Sequence, residues 1–265
     1  MFDFASDNTL RLCVFIGMLG MMVTLEWWFP RRKRVMSRGR RWLTNSAIVA
    51  IDSLALRFLV PVMAVGIAGV AAQNGWGLLA YINLPLWVEL LVAIVVLDML
   101  IYWQHVASHK LPILWRVHRV HHVDRDLDAS TGIRFHPIEI VLSMFFKMAC
   151  VLLLGASALA VFLFEILLNA SALFNHANLR LPSAVDRILR QIIVTPDMHR
   201  VHHSTEKKET DSNYGFFLSV WDRLFRTYIA QPKLGHQDMR IGLVEYQSEQ
   251  PACFVWSLKL PFKSY

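Results

Sequence analysis

Cysteine and charged residues are both scarce in this chain. The 265 residues include three cysteines, Cys13, Cys150 and Cys253, which lie far apart, and two of them fall in apolar stretches. This excludes a disulfide framework and a cysteine-type zinc motif, so burial as small hydrophobic residues is expected. Only 18% of the residues are charged and 55% are hydrophobic, a balance typical of integral membrane proteins.

The basic residues occur in blocks that flank apolar stretches. The net charge of +7 is compatible with nucleic-acid binding, and the run from Arg31 to Arg41 resembles a nuclear-localisation signal. However, this run directly follows an apolar stretch of membrane-spanning length. We therefore interpret it as a stop-transfer segment that faces the cytoplasm, and we expect no nucleic-acid partner.

Apolar stretches of spanning length divide the chain. They are Leu10–Phe29, Leu43–Ala72, Pro85–His109 and a hairpin with the arms Pro137–Leu154 and Ser157–Phe174, joined at Gly155-Ala156. We predict an all-α integral membrane helical bundle, with four spans or three plus a re-entrant hairpin, and a cytoplasmic helical cap. The N-terminus has no basic n-region and no small-residue cleavage site follows the first stretch, so we expect this stretch to be retained as an anchor.

Charged residues inside these apolar stretches need partners. Lys147 and Glu165 are each nine residues from Ala156, so a hairpin that turns there brings them to similar depth. We predict that they face one another, with separate snorkelling of each as the alternative. For Asp52 and Arg57 the sequence offers no account.

The pentapeptide His-Arg-Val-His-His occurs twice, at 118–122 and 199–203. On a helix, the first histidine of each copy lies beside the last two, and His105 and His109 form a further i, i+4 pair. Eight of eleven histidines therefore lie in three short boxes. Eight imidazoles exceed one metal site and suit two ions, since imidazole is a ligand for iron, zinc and copper. Ordinary helix-surface histidines are the alternative.

The order of the three histidine boxes and the motifs around them resemble those of a known family. The context comprises Asp98-x3-Tyr102-Trp103-x-His105, Arg134-Phe135-His136-Pro137, Asn175-His176-Ala177-Asn178, Asn213-Tyr214-Gly215 and Trp221-Asp222-Arg223-Leu224-Phe225. Over about residues 90–228 the chain resembles the fatty acid hydroxylase / sterol desaturase superfamily, integral membrane di-iron oxygenases with histidine boxes. The family usually has Gly after the last motif, whereas this chain has Arg226, which puts the local turn in doubt.

The resemblance implies a set of site residues. The implied metal ligands are His105, His109, His118, His121, His122, His199, His202 and His203, with His176 as a ninth whose alternative role is helix capping. His136 is a less certain ligand that is as well explained by a hydrogen bond to a ligand or by an N-terminal cap. Asp98 lies two turns before His105 on the same helix face, so we expect it to accept a proton from a ligating imidazole, with a bond to another span as the alternative. Asn178, Asp197 and Asp222 are weaker candidates for this supporting role, and His236 is expected on the surface.

The resemblance also implies a function. We expect two iron ions, with zinc as a possible substitute, and O2-dependent hydroxylation or desaturation of a lipid or sterol-like substrate. The sequence has no haem, flavin or nicotinamide motif, so two electrons are expected from a separate ferredoxin or cytochrome-type donor. The expected location is a bacterial inner membrane with the active site on the cytoplasmic side.

The corresponding domains are membrane anchors at 1–84, a catalytic domain at 85–228 and a cytoplasmic tail at 229–265. A zinc-dependent membrane lipid hydrolase is the first alternative function, although no His-Glu-x-x-His motif is present to supply its general base. A metal transporter is the second, although its ligands would be expected near the middle of the bilayer.

Overall fold

All regular secondary structure is helical in the part of the chain that the computed structural model describes, residues 4–60 and 62–263. No strand occurs in these residues, only three isolated β-bridges, so the predicted all-α class is confirmed. The α-helices are α1 (Phe4–Trp28), α2 (Arg38–Leu59), α3 (Ala64–Asn74), α4 (Leu86–Lys110), α5 (Pro112–His122), α6 (Pro137–Leu154), α7 (Ala158–His176), α8 (Ser183–Leu189), α9 (Pro196–His202), α10 (Lys207–Thr210), α11 (Val220–Leu224), α12 (Gly235–Asp238) and α13 (Phe254–Lys259). Short 3₁₀ helices cover Leu78–Tyr81, Ala129–Ile133, Val244–Tyr246, Gln250–Ala252 and Leu260–Phe262.

Five helical segments among the described residues are long and apolar enough to cross a membrane. They are Thr9–Trp28, Arg38–Tyr81, Leu86–Lys110, Pro137–Leu154 and Ala158–His176. Both arms of the predicted hairpin are thus separate candidate spans, which makes the number larger than the expected four. The shorter arm, α6, has 18 residues. At 1.5 Å per residue it is about 27 Å long, close to the ~30 Å of a bilayer core.

The second apolar stretch contains two helices and not the single one expected from its composition. Helix α2 ends at Leu59 and α3 begins at Ala64. The sequence has a proline at 61, outside the described residues, and proline lacks the amide hydrogen that continues a helix. Helix α3 packs on both hairpin arms. At that end of the bundle a Cβ on Gly77 would lie 2.2 Å from the Gly155 nitrogen, so this close contact between the two segments requires glycine.

One end of the bundle carries a folded layer, here called the cap, formed by residues 111–136 and 177–263. The Glu26 carboxylate near the end of α1 accepts hydrogen bonds from the backbone N–H groups of Ala129 (2.7 Å) and Asn178 (3.0 Å). Arg41 near the start of α2 forms ion pairs with Asp124 and Asp128 in the cap, each at 2.6 Å. The cap is therefore fixed to the spanning helices by buried polar contacts.

The core of the bundle is largely apolar, and it contains the predicted ion pair. Lys147 Nζ lies 2.6 Å from Glu165 Oε1, which confirms the sequence prediction. Arg11 of α1 also pairs with Glu165, a contact that the sequence did not reveal. Many large apolar side chains of the spans point outward, as a lipid-facing surface requires, and exposed Trp27 and Trp87 near opposite ends match the interfacial aromatic belts of membrane proteins.

Candidate metal centre

Four helices bring nine histidines together at the junction between the spans and the cap. Helix α4 supplies His105 and His109 in its last two turns, α5 supplies His118, His121 and His122, and α7 supplies His176 at its last residue. Helix α9 and its C-cap supply the third box, His199, His202 and His203. All nine imidazoles are buried. These are the nine residues that the sequence analysis selected.

The imidazoles form two separate groups, and among the described residues both groups consist of histidine alone. One contains His105, His109, His118, His122 and His202, and the other contains His121, His176, His199 and His203. Within each group the candidate ligand nitrogens all lie within 4.8 Å of one another. The arrangement therefore offers five ligands to one ion and four to another, with the adjacent His121 and His122 divided between the two.

Acceptors outside the clusters fix the tautomers of several imidazoles. The Nδ1 atoms of His105, His176 and His202 lie 2.8, 2.7 and 2.6 Å from the carbonyl oxygens of Tyr214, Ala172 and Ser212, respectively. A carbonyl oxygen can only accept, so each Nδ1 must carry the proton and each Nε2 must expose a lone pair. The same reasoning applies to His121, whose Nδ1 lies 3.1 Å from the Arg134 oxygen.

The exposed lone pairs face one another. The Nε2 atom of His105 lies 3.0 Å from that of His202, and the Nε2 atoms of His121 and His176 are also 3.0 Å apart. Two unprotonated nitrogens cannot form a hydrogen bond, so such contacts are repulsive unless a cation lies between the rings. Two nitrogens that bind one ion at about 2.1 Å are about 3.0 Å apart at a 90° angle and about 3.4 Å apart at the tetrahedral angle. The observed spacing thus fits two nitrogens that share one metal ion.

Burial keeps five histidines of the cap in the neutral form that metals require. Removal from water lowers the pKa of His202 to about 3, and it lowers the pKa values of His121, His122, His199 and His203 well below the usual value. Neighbouring imidazoles lower these four further because a second positive charge nearby is unfavourable. Moreover, His203 has no hydrogen-bond partner for either ring nitrogen among the described residues. Buried nitrogens of this kind are expected where a metal ion is bound.

The Asn213-Tyr214-Gly215 motif builds the loop that presents two of the carbonyl acceptors. Asp222 accepts hydrogen bonds from the backbone N–H groups of Tyr214 (2.7 Å) and Gly215 (2.9 Å). Asn213 takes a left-handed conformation with φ of 49°, and its side-chain amide donates to two backbone carbonyls. The loop thus places the oxygens of Ser212 and Tyr214 beside His202 and His105.

The turn at Arg226 is retained despite the missing glycine. Arg226 has φ of 61°, the left-handed conformation that glycine adopts easily. The side chain is exposed, so the departure from the family pattern adds backbone strain without filling the site.

The Arg134-Phe135-His136-Pro137 motif supports the second cluster. The Phe135 ring stacks on His121 at 4.5 Å between centroids, next to the carbonyl of Arg134 that fixes the tautomer of His121. His136 itself accepts a hydrogen bond from the Ile138 N–H at 3.2 Å and caps α6, with Pro137 at the first helical position. His136 is thus outside both clusters, in the N-cap role left open by the sequence.

Asp98 and Asn178 were expected to contact the imidazoles, but neither does. Asp98 accepts hydrogen bonds from Trp221 Nε1 (2.8 Å) and the Leu218 N–H (3.1 Å), which corresponds to the alternative of bonding to another segment. The seven residues from Asp98 to His105 span about 10 Å along α4, so Asp98 lies level with Trp221 of α11 and too far from the imidazoles. Asn178 bonds to the backbone of Arg32 through both side-chain atoms and fixes the segment after α1.

Asp197 and His236 form a polar cluster behind the third box. Asp197 pairs with Arg200 and with Arg31, the latter at 2.9 Å, and His236 Nε2 lies 3.5 Å from Asp197 Oδ2. His236 is 5% exposed, so its predicted surface position is wrong: the polar tail folds back over α9. Burial lowers the pKa of His236 to about 4, so it is neutral near pH 7.

The sequence analysis missed Glu139, which contacts a cluster histidine directly. Its Oε1 lies 2.6 Å from His118 Nδ1. Glu139 lies in the first turn of α6, three residues after His136. Its position in the first helical turn after His136 and Pro137 was the available signal in the sequence.

A cavity of about 350 Å³ leads from the clusters into the bundle. His105 and His118 line one part of it, and residues of α1, α2, α4, α6 and α7 form its walls. A second cavity of about 460 Å³ reaches His109 through the cap.

Comparison with known proteins gives consistent results. The fatty acid hydroxylase family model matches residues 90–227. The alkylglycerol monooxygenase of Danio rerio is 28% identical over 81% of this chain and 46% of its own length. The ornithine lipid hydroxylase OlsE of Rhizobium tropici is 33% identical over 59% of this chain and 46% of its length, and the lathosterol oxidase of Mus musculus is 28% identical over 52% and 45%. The chain thus spans less than half the length of these relatives. No solved structure matches it significantly.

Proposed function

The chain belongs to the fatty acid hydroxylase family, and we propose from this premise that it is a membrane-bound di-iron oxygenase. Its proposed reaction is the hydroxylation or desaturation of a lipid or sterol-like substrate with O2 and two electrons. The observation that carries the proposal is the pair of all-histidine clusters beside a cavity that opens among membrane-spanning helices. The names of the relatives, which include a monooxygenase, a hydroxylase and an oxidase, favour the same reaction class.

In this proposal, the five histidines of the first cluster hold one iron and the four of the second hold the other. When bound, the irons supply O2 activation and the oxidation of an unactivated C–H bond. The protein contributes the neutral imidazoles, and the carbonyls of Tyr214, Ser212 and Ala172 keep their Nε2 atoms free. The apolar spans guide a lipid chain to the histidines and exclude bulk water. Zinc is a possible substitute ion, because imidazole is a ligand for zinc as well as for iron.

The proposed electron donor is a separate, acidic ferredoxin or cytochrome-type protein that docks on the cap. The cavity that reaches His109 opens beside exposed Lys207, and exposed Lys110 pairs at 2.8 Å with Asp211, which also lines it. The exposed ammonium group of Lys207 would offer an acidic partner a contact at this opening, beside a route to His109. We place this face in the cytoplasm, and the membrane is proposed to be a bacterial inner membrane. The three-part division at 84 and 228 likewise remains a proposal.

A zinc-dependent hydrolase and a metal transporter are not favoured. A hydrolase needs a general base beside a metal-bound water, whereas the carboxylate nearest the clusters, Glu139, binds the back of His118. A transporter would place its ligands along a path through the bilayer, whereas these clusters lie at one end of the bundle.

The test is a lipid analysis with matched histidine variants. Wild type, His121→Ala and His136→Ala are expressed in the same host and grown under isotopically labelled O2, and the extracted lipids are analysed by mass spectrometry. Wild type and His136→Ala should yield a lipid that has gained labelled oxygen or lost two hydrogens, and His121→Ala should yield none. His136 is a buried histidine outside the clusters, so it controls for general damage. Equal lipid profiles in wild type and His121→Ala cells would refute the proposal.

A further inference from the structure

The cavity that reaches His105 and His118 has an unusually polar wall for a space among membrane-spanning helices. Five charged side chains line it: Arg11, Asp52, Glu139, Lys147 and Glu165. Both cations are already engaged, since Lys147 Nζ lies 2.6 Å from Glu165 and Arg11 pairs with the other oxygen of the same carboxylate. The cationic groups of this wall thus have their partner within the protein.

The acceptors of the wall are in the opposite situation. Among the described residues, Asp52 Oδ1, Glu139 Oε2 and Gln104 Oε1 are buried and have no hydrogen-bond partner. Asp52 is 4% exposed, and the sequence analysis could assign it no role. A buried acceptor without a partner is costly, and three around one cavity indicate that a ligand supplies the donors. An anionic ligand is disfavoured because it would lie beside carboxylates, while both cations of the wall already pair with Glu165.

We infer that Asp52 binds a hydrogen-bond-donating polar group of the lipid substrate, a hydroxyl or an ammonium group. This inference rests on the proposed function and specifies the class of substrate that the cavity accepts. Asp52 lies on α2, outside the histidine clusters, and its carboxylate faces the same space as His105 and His118. The bound polar group therefore shares one cavity with the histidines, and the alkyl chain occupies the apolar part of the wall formed by residues such as Leu56, Ile101 and Met144.

The test measures binding without turnover. The iron-loaded full chain in detergent is kept without O2 or reductant, and the affinities of octadecanol, octadecylamine and octadecane are measured by equilibrium dialysis. The variants are Asp52→Asn, which keeps an acceptor but removes the charge, and Asp52→Leu, which removes both. Glu89→Gln is the matched control, because Glu89 is a carboxylate of a spanning helix that accepts hydrogen bonds from Ser157 and does not line the cavity.

Wild type and Glu89→Gln should bind octadecanol or octadecylamine more tightly than octadecane. If the natural group is a hydroxyl, Asp52→Asn should retain octadecanol and Asp52→Leu should weaken it about three- to tenfold. If it is an ammonium group, Asp52→Asn should already weaken octadecylamine about ten- to a hundredfold. Octadecane binding and iron content should stay unchanged.

Two results would overturn the inference. One is a preference for the donor lipids over octadecane that is absent in wild type or that persists in Asp52→Leu. The other is an equal loss of octadecane binding or of iron, which would make Asp52 a structural residue only. Neither result bears on the labelled-oxygen experiment, so failure of this inference and failure of the proposed function can be told apart.

Discussion

Removal of the carboxylate behind His118 should weaken metal binding even though Glu139 is not itself a ligand. Glu139 Oε1 accepts a hydrogen bond from His118 Nδ1 at 2.6 Å, and both side chains are nearly buried, with exposures of 2% for His118 and 11% for Glu139. The contact fixes the ring orientation of His118 and increases the electron density on Nε2. We compare Glu139→Gln, which keeps an acceptor of similar shape, with Glu139→Leu, which has none.

The size of the effect follows from the character of this bond. A short hydrogen bond to a buried charge is about twice as strong as a neutral one. Loss of such a supporting partner typically lowers metal affinity about 10–100-fold, which corresponds to about 1.4–2.7 kcal/mol. Glu139→Gln should fall near the lower limit because only the charge is lost. Glu139→Leu should fall near the upper limit, since His118 Nδ1 is then buried without an acceptor.

The assay is retention of iron by purified protein against a competing chelator, with metal content measured by mass spectrometry. Glu89→Gln is again the control, because Glu89 lies on α4 far from the clusters and binds Ser157 at the start of α7. It should retain iron like wild type. A thermal unfolding curve of each metal-free variant separates loss of affinity from loss of fold.

Wild-type iron affinity in both Glu139 variants would refute this reasoning. The orientation of His118 would then be set by helix α5 alone, and the 2.6 Å contact would be incidental. An equal loss in the two variants would also contradict it, because the acceptor retained in Glu139→Gln should preserve part of the effect.

Three further predictions concern stability, measured as melting temperature in detergent. Arg226→Gly should raise stability by about 0.5–1 kcal/mol, because glycine relieves the left-handed strain at φ of 61°. Arg223→Gly is the control and should lower stability, because it interrupts helix α11. Metal-free protein should lose stability as the pH falls from about 6.5 towards 3. His202 has a pKa of about 3 when folded, so in this window the unfolded chain binds the proton that the folded chain excludes, at up to about 1.4 kcal/mol per pH unit. The melting temperature should therefore be lower at pH 5.5 than at pH 7.5. A melting temperature that does not change with pH would contradict the buried, neutral state of His202. Glu165→Gln should cost about 3–5 kcal/mol because it leaves Lys147 and Arg11 unpaired, whereas Lys147→Met should cost less because Arg11 still neutralises Glu165. The reverse order would contradict the assignment of Glu165 as the shared anion.

Local spacing made part of this structure predictable from the sequence. The i, i+3 and i, i+4 relations within each box, and the apolar lengths around them, indicated which helices meet and which residues they present. The Lys147–Glu165 pair was predictable for the same reason, since both residues are the same number of residues from one turn. Arg11 was not, because α1 has no fixed register against the hairpin in the sequence.

The supporting contacts could not be predicted because they join segments that are distant along the chain. Asp98 was placed on the correct helix face, but the residue opposite that face at its depth is Trp221, 123 positions later. His236 lies in a polar segment, and only folding of the tail over α9 buries it against Asp197. The acceptors of His105 and His202 are backbone carbonyls, which every residue has, so no side-chain pattern reveals them.

The chemistry of the clusters explains why the nearest carboxylates lie beside them and not within them. Imidazole ligands carry no negative charge, so nine of them leave the positive charge of bound ions uncompensated within the clusters themselves. Compensation then has to come from the next layer, where Glu139 binds His118 and Asp211 Oδ1 lies 3.6 Å from His109 Nδ1. A carboxylate held there would stabilise a bound ion through the imidazole. The same positive charge would offset the burial of Glu139 and its unpartnered second oxygen, so the metal and this carboxylate should stabilise one another.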